Sequence, residues 1–428
     1  MRQEQTDTYV EAAGGQIDRA AHQTDLRRAL GDRVFSAEKL LLARMMESLG
    51  NPPVRLVLWD GQEFACQDRT PIARVLIRDR GALLKLIANP ELGFGEMYTA
   101  NRIEVRGDLV DCLEAIYRAL PRTEQGQIGH KLLAPFNGKR RNGLSGARRN
   151  IQHHYDIGND FYRLWLDRQL VYTCAYFPSP TMGLDDAQMA KLDYVCRKLR
   201  LAPGETVVEA GCGWGALALH MARFYGVQAK AYNISKEQIA YARERARSEG
   251  LEDRVQFIED DYRNVSGEFD AFVSVGMLEH VGVDHYGELG VVIDRSLKAA
   301  GRGLIHSIGR DYPSPMTPWI ERNIFPGACP PSLSQMTQIF EPFGFSVLDV
   351  ENLRLHYAKT LEHWLQRYEA ATERVTQMYD PAFARAWRLY LAGSVAAFRS
   401  GAMQLFQVSF ARSGENRIPW TRQYLHSP

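Results

Sequence analysis

From residue 200 onward, short apolar runs rich in β-branched residues alternate with helical stretches, and no other feature limits the possible folds so strongly. The runs are TVVEAG (206–211), QAKAYN (228–233), VQFIED (255–260), FDAFVSVG (269–276) and GRGLIHSIG (301–309), with segments such as SKEQIAYARERARSEG between them. Parallel strands need a crossover of a dozen or more residues, usually a helix, so this spacing predicts a parallel sheet with helices on both faces. FSVLDVENL and MQLFQVSFAR read as sixth and seventh strands, and a helical insertion (361–402) large enough to cover something lies between them. The expected fold class is α/β, a Rossmann-like, seven-stranded, mostly parallel sheet with a helical cap insertion and a smaller N-terminal α+β domain.

A chain of 428 residues exceeds one compact core, so two domains are expected. Residues 1–24 are polar and aperiodic and read as a mobile tail. Over 25–135 the signals are mixed. VRLVLWDGQEF brackets Asp60-Gly61 with apolar residues and reads as a hairpin. TPIARVLIRDRGALLKLIANP reads as one amphipathic helix ending at Asn89-Pro90, and DLVDCLEAIYRAL as another. Residues 136–150 form a basic linker carrying Lys139, Arg140, Arg141, Arg148 and Arg149. Such a linker can also meet lipid phosphates, each basic group near an anionic surface contributing about 1 kcal/mol. The catalytic domain is expected over 151–428.

Net charge is only +1, with 45% apolar and 24% charged residues. That excludes a molecule that binds polyanions over its whole surface and weighs against nucleic acid. The six cysteines lie far apart without a C-x-x-C pair, which argues against zinc and against a disulfide framework. MRQEQTDTYV has no apolar core of a signal peptide, and no stretch approaches the roughly 18 apolar residues of a membrane span. A cytoplasmic protein is expected, and one acting on lipid would associate peripherally with the inner face of the membrane.

The strongest local signal is Glu209-Ala210-Gly211-Cys212-Gly213-Trp214-Gly215, which follows an apolar strand and opens a helix. Glycines there allow a sharp turn and close approach of a ligand to the backbone. A dinucleotide site wants G-x-G-x-x-G with pyrophosphate over the helix N-terminus. Here the third glycine is displaced and an acid stands two residues before the first. A carboxylate repels a phosphate but suits the ammonium of a methionine moiety, the signature of S-adenosylmethionine. Asn233, Ser235 and Gln238 follow the second strand, where a ribose is expected. Asp260, Asp261 and Tyr262 follow the third, where an acid can meet the adenine amine and a ring its face.

YTCAYF (172–177), EAGCGWG (209–215), SVGMLEHVG (274–282), LIHSIG (304–309), IFPGACPPS (324–332) and LHYAKTLEHW (355–364) occur in this order. Together they resemble the cyclopropane fatty-acyl-phospholipid synthase family, including the mycolic acid cyclopropane synthases, over about residues 150–412. PELGFGEMY (90–98) further resembles the N-terminal domain of the longer bacterial phospholipid enzymes. The resemblance implies methyl transfer from S-adenosylmethionine to the cis double bond of an acyl chain, with proton loss to a bound bicarbonate closing a cyclopropane ring. It also implies the bicarbonate cradle: the Cys174 thiol, the Glu279 carboxylate, the His306 imidazole, the Tyr357 hydroxyl and the backbone at Ile308. Cofactor contacts carried over by motif are Tyr155, Tyr172, Thr173, the loop with Glu209, Ala210, Gly211 and Gly213, then Asn233, Gln238 and Tyr262. Gly276 completes the candidate set. The family usually has Ile or Val where Ala210 stands and Thr where Asn233 stands.

The chemistry asks for the same residue types. A cation formed in a dry pocket escapes quenching by water, and aromatic faces attract it; Tyr172, Tyr176, Phe177, Tyr286 and Tyr357 are available. Glu279 and His306 are expected at the C-terminal ends of strands, where open α/β sheets bind ligands, while His280 and His285 read as structural. The acyl tail is expected in a tunnel lined by the insertion, including Leu361, Trp364, Leu365 and the 384–402 helix. Proton loss from a different carbon would instead give a methyl or methylene branch. A lipid-binding protein without catalysis and a methyltransferase for another substrate are the remaining classes. The N-terminal domain is expected to contact the membrane or a second subunit of a homodimer.

Overall fold

The computed structural model describes residues 38–65, 70–120 and 157–426. The expected tail, the basic linker and Tyr155 lie outside them.

Residues 38–48 are helical and pack on a small sheet. Its strands are β1 (Val54–Val57), β2 (Glu63–Ala65), β3 (Ala73–Ile77) and β4 (Ile103–Arg106), in the order β2-β1-β3-β4. The hairpin forms as expected: β1 and β2 pair antiparallel, and Gly61 turns the chain at φ +84°. TPIARVLIRDRGALLKLIANP, by contrast, is not one helix. Ala73, Val75 and Ile77 are buried at every second position, a strand period, and β3 pairs with both β1 and β4. The helix starts only where Asp79 accepts a hydrogen bond from the Ala82 N–H, 3.0 Å, and runs Arg80–Ala88. Asn89 then caps Pro90–Thr99, and Asp108 caps Leu109–Ala119.

The larger sheet holds β5 (Thr206–Ala210), β6 (Gln228–Asn233), β7 (Val255–Glu259), β8 (Phe269–Val275), β9 (Leu297–Gly309), β10 (Phe345–Asn352) and β11 (Gln404–Arg412). Their order is β10-β11-β9-β8-β5-β6-β7; β5 to β9 run parallel, and β11 and β10 antiparallel. The five parallel strands are those the alternation pointed to, and β9 starts earlier, at Leu297. Because β5 is flanked by β6 on one side and β8 on the other, the chain reverses direction across the sheet there. A crevice opens at the carboxyl end of such a strand.

Between β10 and β11 the insertion forms helices Arg354–Ala370, Thr372–Met378 and Pro381–Ser400. The last helix packs on Leu109–Ala119 and Pro90–Thr99 of the small unit. Arg385 donates to the carbonyls of Tyr98 (2.7 Å) and Ile103 (3.0 Å), and Arg388 to the Tyr98 hydroxyl (2.9 Å). Trp319 lies so close to Gly95 that a Cβ there would stand 2.3 Å from its ring. The insertion and the small unit thus share one packed boundary.

Candidate active site

Two cavities converge beyond the carboxyl ends of β5 and β8. The first, about 140 Å³, lies over the turn after β5. Gly211 turns the chain at φ +86°, where a side chain is strained, and a Cβ would approach Met277 to 2.9 Å. Of the expected cofactor contacts, Tyr172, Thr173, Glu209, Gly211, Gly213, Asn233, Gln238, Asp261, Tyr262 and Gly276 line this cavity. Two do not. Ala210 is fully buried within β5, and Ser235 instead caps the helix Lys236–Ser248 by accepting from the Gln238 N–H.

Glu209 is 2% exposed and its Oε2 has no hydrogen-bond partner. Burial pushes its pKa up to about 8, and Lys191 opposes that shift. A buried carboxyl group that lines the cavity with one oxygen unpartnered suits an incoming cation, whose charge favours its ionised form. The Asn233 amide donates to Gln238 Oε1 (2.7 Å) and to the Gly213 carbonyl (3.3 Å), so the residues expected at the ribose are tied to the glycine turn. Lys191, which the sequence did not single out, also lines this cavity and donates to Thr173 Oγ1, 3.0 Å. Desolvation holds its pKa down to about 8.

The second cavity, about 320 Å³, brings together Cys174, Glu279, His306, Ile308 and Tyr357. Tyr172, Thr173, Gly276 and His280 line both cavities, so the two meet there. Glu279 lies in a tight turn after β8. Its Oε1 accepts from the Ile308 N–H at 2.6 Å, and its Oε2 has no partner. Burial raises its pKa to about 7. His306 does not follow its strand but sits within β9, 1% exposed. Burial drives its pKa well below the usual imidazole value, so the ring is neutral. Its Nδ1 bonds to the Gln407 amide at 2.9 Å, and its Nε2 is unpartnered. With the Gln407 N–H donating, the ring proton sits on Nε2, an assignment that follows from the hydrogen-bond network.

The Cys174 thiol donates to the Ala175 carbonyl, 3.1 Å, and burial pushes its pKa up, so it keeps its proton. Tyr357 packs against Phe398, ring centroids 4.7 Å apart. Its helix also holds the 172–177 segment: Thr360 Oγ1 accepts from the Ala175 N–H and His356 Nδ1 from the Phe177 N–H, both 3.0 Å.

Of the aromatic residues expected to face a cation, Tyr172 and Tyr357 line the second cavity. Tyr176 stacks on Tyr194, Phe177 on His363, and Tyr286 is buried in another cluster, because each finds a closer packing partner than the cavity. Leu361 and the helix Pro381–Ser400 contribute to the wall as expected. Trp364 is instead packed among Trp165, Tyr172 and Tyr357, and neither it nor Leu365 reaches the lining. His280, read as structural, faces both cavities. Arg310 and much of the small unit also line the second cavity, and nothing in the sequence marked them.

The family model described as mycolic acid cyclopropane synthetase matches residues 144–408, and a domain family of unknown function matches 41–123. A probable fatty acid methyltransferase of Pseudomonas putida is 35% identical over 87% of this chain and 96% of its own length. The cyclopropane-fatty-acyl-phospholipid synthase of Escherichia coli K12 is 41% identical over 62% of this chain and 69% of its own. A crystal structure of a mycolic acid cyclopropane synthase complexed with SAH and CTAB has a TM-score of 0.60 and 30% identity, covering 62% of this chain and 98% of that one. A cyclopropane synthase from Mycobacterium tuberculosis has a TM-score of 0.59 and 29% identity at the same coverage. The chain belongs to the mycolic acid cyclopropane synthetase family of S-adenosylmethionine-dependent methyltransferases.

Proposed function

We propose that this chain methylates the cis double bond of an unsaturated phospholipid acyl chain, and that proton loss to a bound bicarbonate then closes a cyclopropane ring. The observation that carries the reading is the meeting of the two cavities. One holds a buried carboxyl group with an unpartnered oxygen, suited to a cation, and the other is apolar with a cluster of buried polar atoms.

Glu209 suits the ammonium of the cofactor's methionine end, the Asn233–Gln238 pair its ribose, and Asp261 and Tyr262 its adenine. When bound, S-adenosylmethionine supplies an electrophilic methyl group, which the alkene π electrons take up as the carbon–sulfur bond breaks. The protein's task is then to hold a cation dry and remove one proton. The faces of Tyr172 and Tyr357 attract positive charge by about 1–2 kcal/mol each when desolvated.

The second cluster suits a small oxyanion because burial favours the neutral, proton-bearing forms of its groups. Burial raises the Glu279 pKa to about 7, which favours the acid form, able to donate through Oε2. Neutral His306 donates through Nε2, while the Cys174 S–H, donated to the Ala175 carbonyl in this structure, would turn toward the ion to contribute. Bicarbonate held there supplies the base. No helix among the described residues is long and apolar enough to cross a membrane, so the substrate would be taken from the bilayer surface by a peripheral protein.

A second reading is methyl or methylene branching through the same cation, with the proton lost from a different carbon. It is supported by relatives that span both parts of the chain and are named as fatty-acid methyltransferases rather than cyclopropane synthases. Besides the Pseudomonas protein, a tuberculostearic acid methyltransferase of Mycobacterium tuberculosis is 32% identical over 85% of this chain. Incubation with labelled S-adenosylmethionine and vesicles of unsaturated phosphatidylcholine should place label in lipid one CH₂ heavier. Absence of label in lipid, with cofactor binding intact, would refute the activity. Mild hydrogenation separates the products, since a methylene branch takes up hydrogen readily and a ring resists it.

A further inference from the structure

The larger cavity continues past the catalytic cluster into the small sheet unit. Met45, Met46, Val54, Leu56, Val75 and Leu86 belong to that unit's own core, each no more than 7% exposed, yet they line the same cavity as Cys174 and Glu279. Phe94 packs against both cores and lines the passage between them. An empty apolar cavity destabilises a fold in proportion to its volume, so a hollow core at this position calls for an occupant.

The lining says what that occupant is. Among the described residues, the small-unit strands and the helix over 38–48 contribute no charged or hydroxyl side chain to the wall. The polar side chains that the unit's other helices add to the wall, Glu91 and Tyr117, gather around Arg310, which follows β9, and Glu279 belongs to the catalytic cluster. Among those strands and that helix a phosphate or ester would be desolvated without partners, whereas a hydrocarbon gains by burial there.

We propose that the interior of the small unit receives the methyl-terminal segment of the reacting acyl chain, and that its depth selects double bonds by their distance from the methyl end. The proposal rests on the lipid reading above. With the double bond held beside Glu279 and His306, the chain beyond it must fit between that point and the wall formed by Val75 and Leu86. A methylene too many meets packed side chains, and one too few leaves a void. Either discriminates by roughly tenfold or more.

The test uses the full-length protein and mixed phosphatidylcholine vesicles whose cis double bonds lie at different distances from the methyl end. Leu86→Trp should shift the product ratio about tenfold toward bonds nearer the methyl end, and Leu86→Ala should shift it the other way. An unchanged ratio in a Leu86→Ala protein that still methylates lipid overturns the proposal, even if Leu86→Trp does not fold. So does a ratio that follows the length of the non-reacting chain instead. Separately, phosphatidylcholine with a diazirine at the methyl end of the unsaturated chain should crosslink to residues 45–120. Crosslinks found only in the sheet domain overturn the proposal without touching the activity. Failure of the unaltered protein to methylate any lipid would instead refute the function proposed above.

Discussion

Gln407 on β11 stands directly across from His306 on β9 in the antiparallel register, and the two side chains are joined by a 2.9 Å hydrogen bond. One sheet pairing therefore sets both the position and the tautomer of the imidazole that faces the cavity. Gln407→Leu removes the donor to Nδ1 and frees the ring to carry its proton there, away from the cavity. Turnover should fall about 10-fold or more, with the affinity for S-adenosylmethionine unchanged by calorimetry. An equal loss in both would mean that Gln407 serves the fold alone.

Glu279→Gln keeps the shape of the side chain and can still accept from the Ile308 N–H. It loses the acid's titration: an amide N–H₂ stands in the place of Oε2 and can donate a hydrogen bond but can neither accept one nor exchange a proton. Lipid methylation should fall by about 100-fold or more, while cofactor binding at the neighbouring cavity persists. Single-turnover assays at saturating cofactor would show whether the loss lies in the chemical step.

Stability should depend on pH in a defined window. Burial raises Glu209 to about 8 and Glu279 to about 7, above the ordinary carboxylate value. Their protonated forms are favoured in the folded state. Their contribution is complete at low pH and is lost as pH rises through those values. Lowered histidines act the other way: His220 and His280, held down to about 4, and His306, driven well below its usual value, cost stability as pH falls below about 6.5. Between pH 6.5 and 8 the carboxylates outweigh the tail of the histidine titration and the opposing effect of Lys191, which sets in as pH approaches about 8. The melting temperature without ligand should therefore fall from pH 6.5 to 8. In Glu209→Gln with Glu279→Gln that slope should flatten; an unchanged slope would place its origin elsewhere.

Gly276 stands where the two cavities meet, at φ +77°, and a Cβ there would lie 2.6 Å from Thr173 Cγ2. Gly276→Ala therefore adds backbone strain of about 1–3 kcal/mol and pushes on the segment carrying Thr173 and Cys174. A higher KM for cofactor and a lower kcat are expected together, with an intact far-ultraviolet spectrum. Normal kinetics would show that Thr173 yields freely.

The parallel strands were legible because buried β-branched runs separated by helical stretches admit few other arrangements. TPIARVLIRD misled because Ile72, Val75, Leu76 and Ile77 satisfy a helical spacing about as well as a strand's; pairing with β1 and β4 decided the outcome. Cys174, Glu279, His306 and Tyr357 were found through family motifs, and the fold brings all of them to one cavity. Gln407 carried no mark in QLFQVSF, because only the register with β9 gives it a role. Lys191 lay hidden in an ordinary helical pattern.

By itself, the sequence determined the alternating α/β architecture, the glycine turn after β5 and the acid placed before it, because these depend on local periodicity and on residues adjacent in the chain. Only the tertiary structure decided how deep the second cavity runs and what forms its wall. Burial is a property of surfaces that meet from distant parts of the chain. The helix Pro381–Ser400 meets the small unit through Arg385 and Arg388, and core residues of that unit line the same cavity as Glu279 and His306.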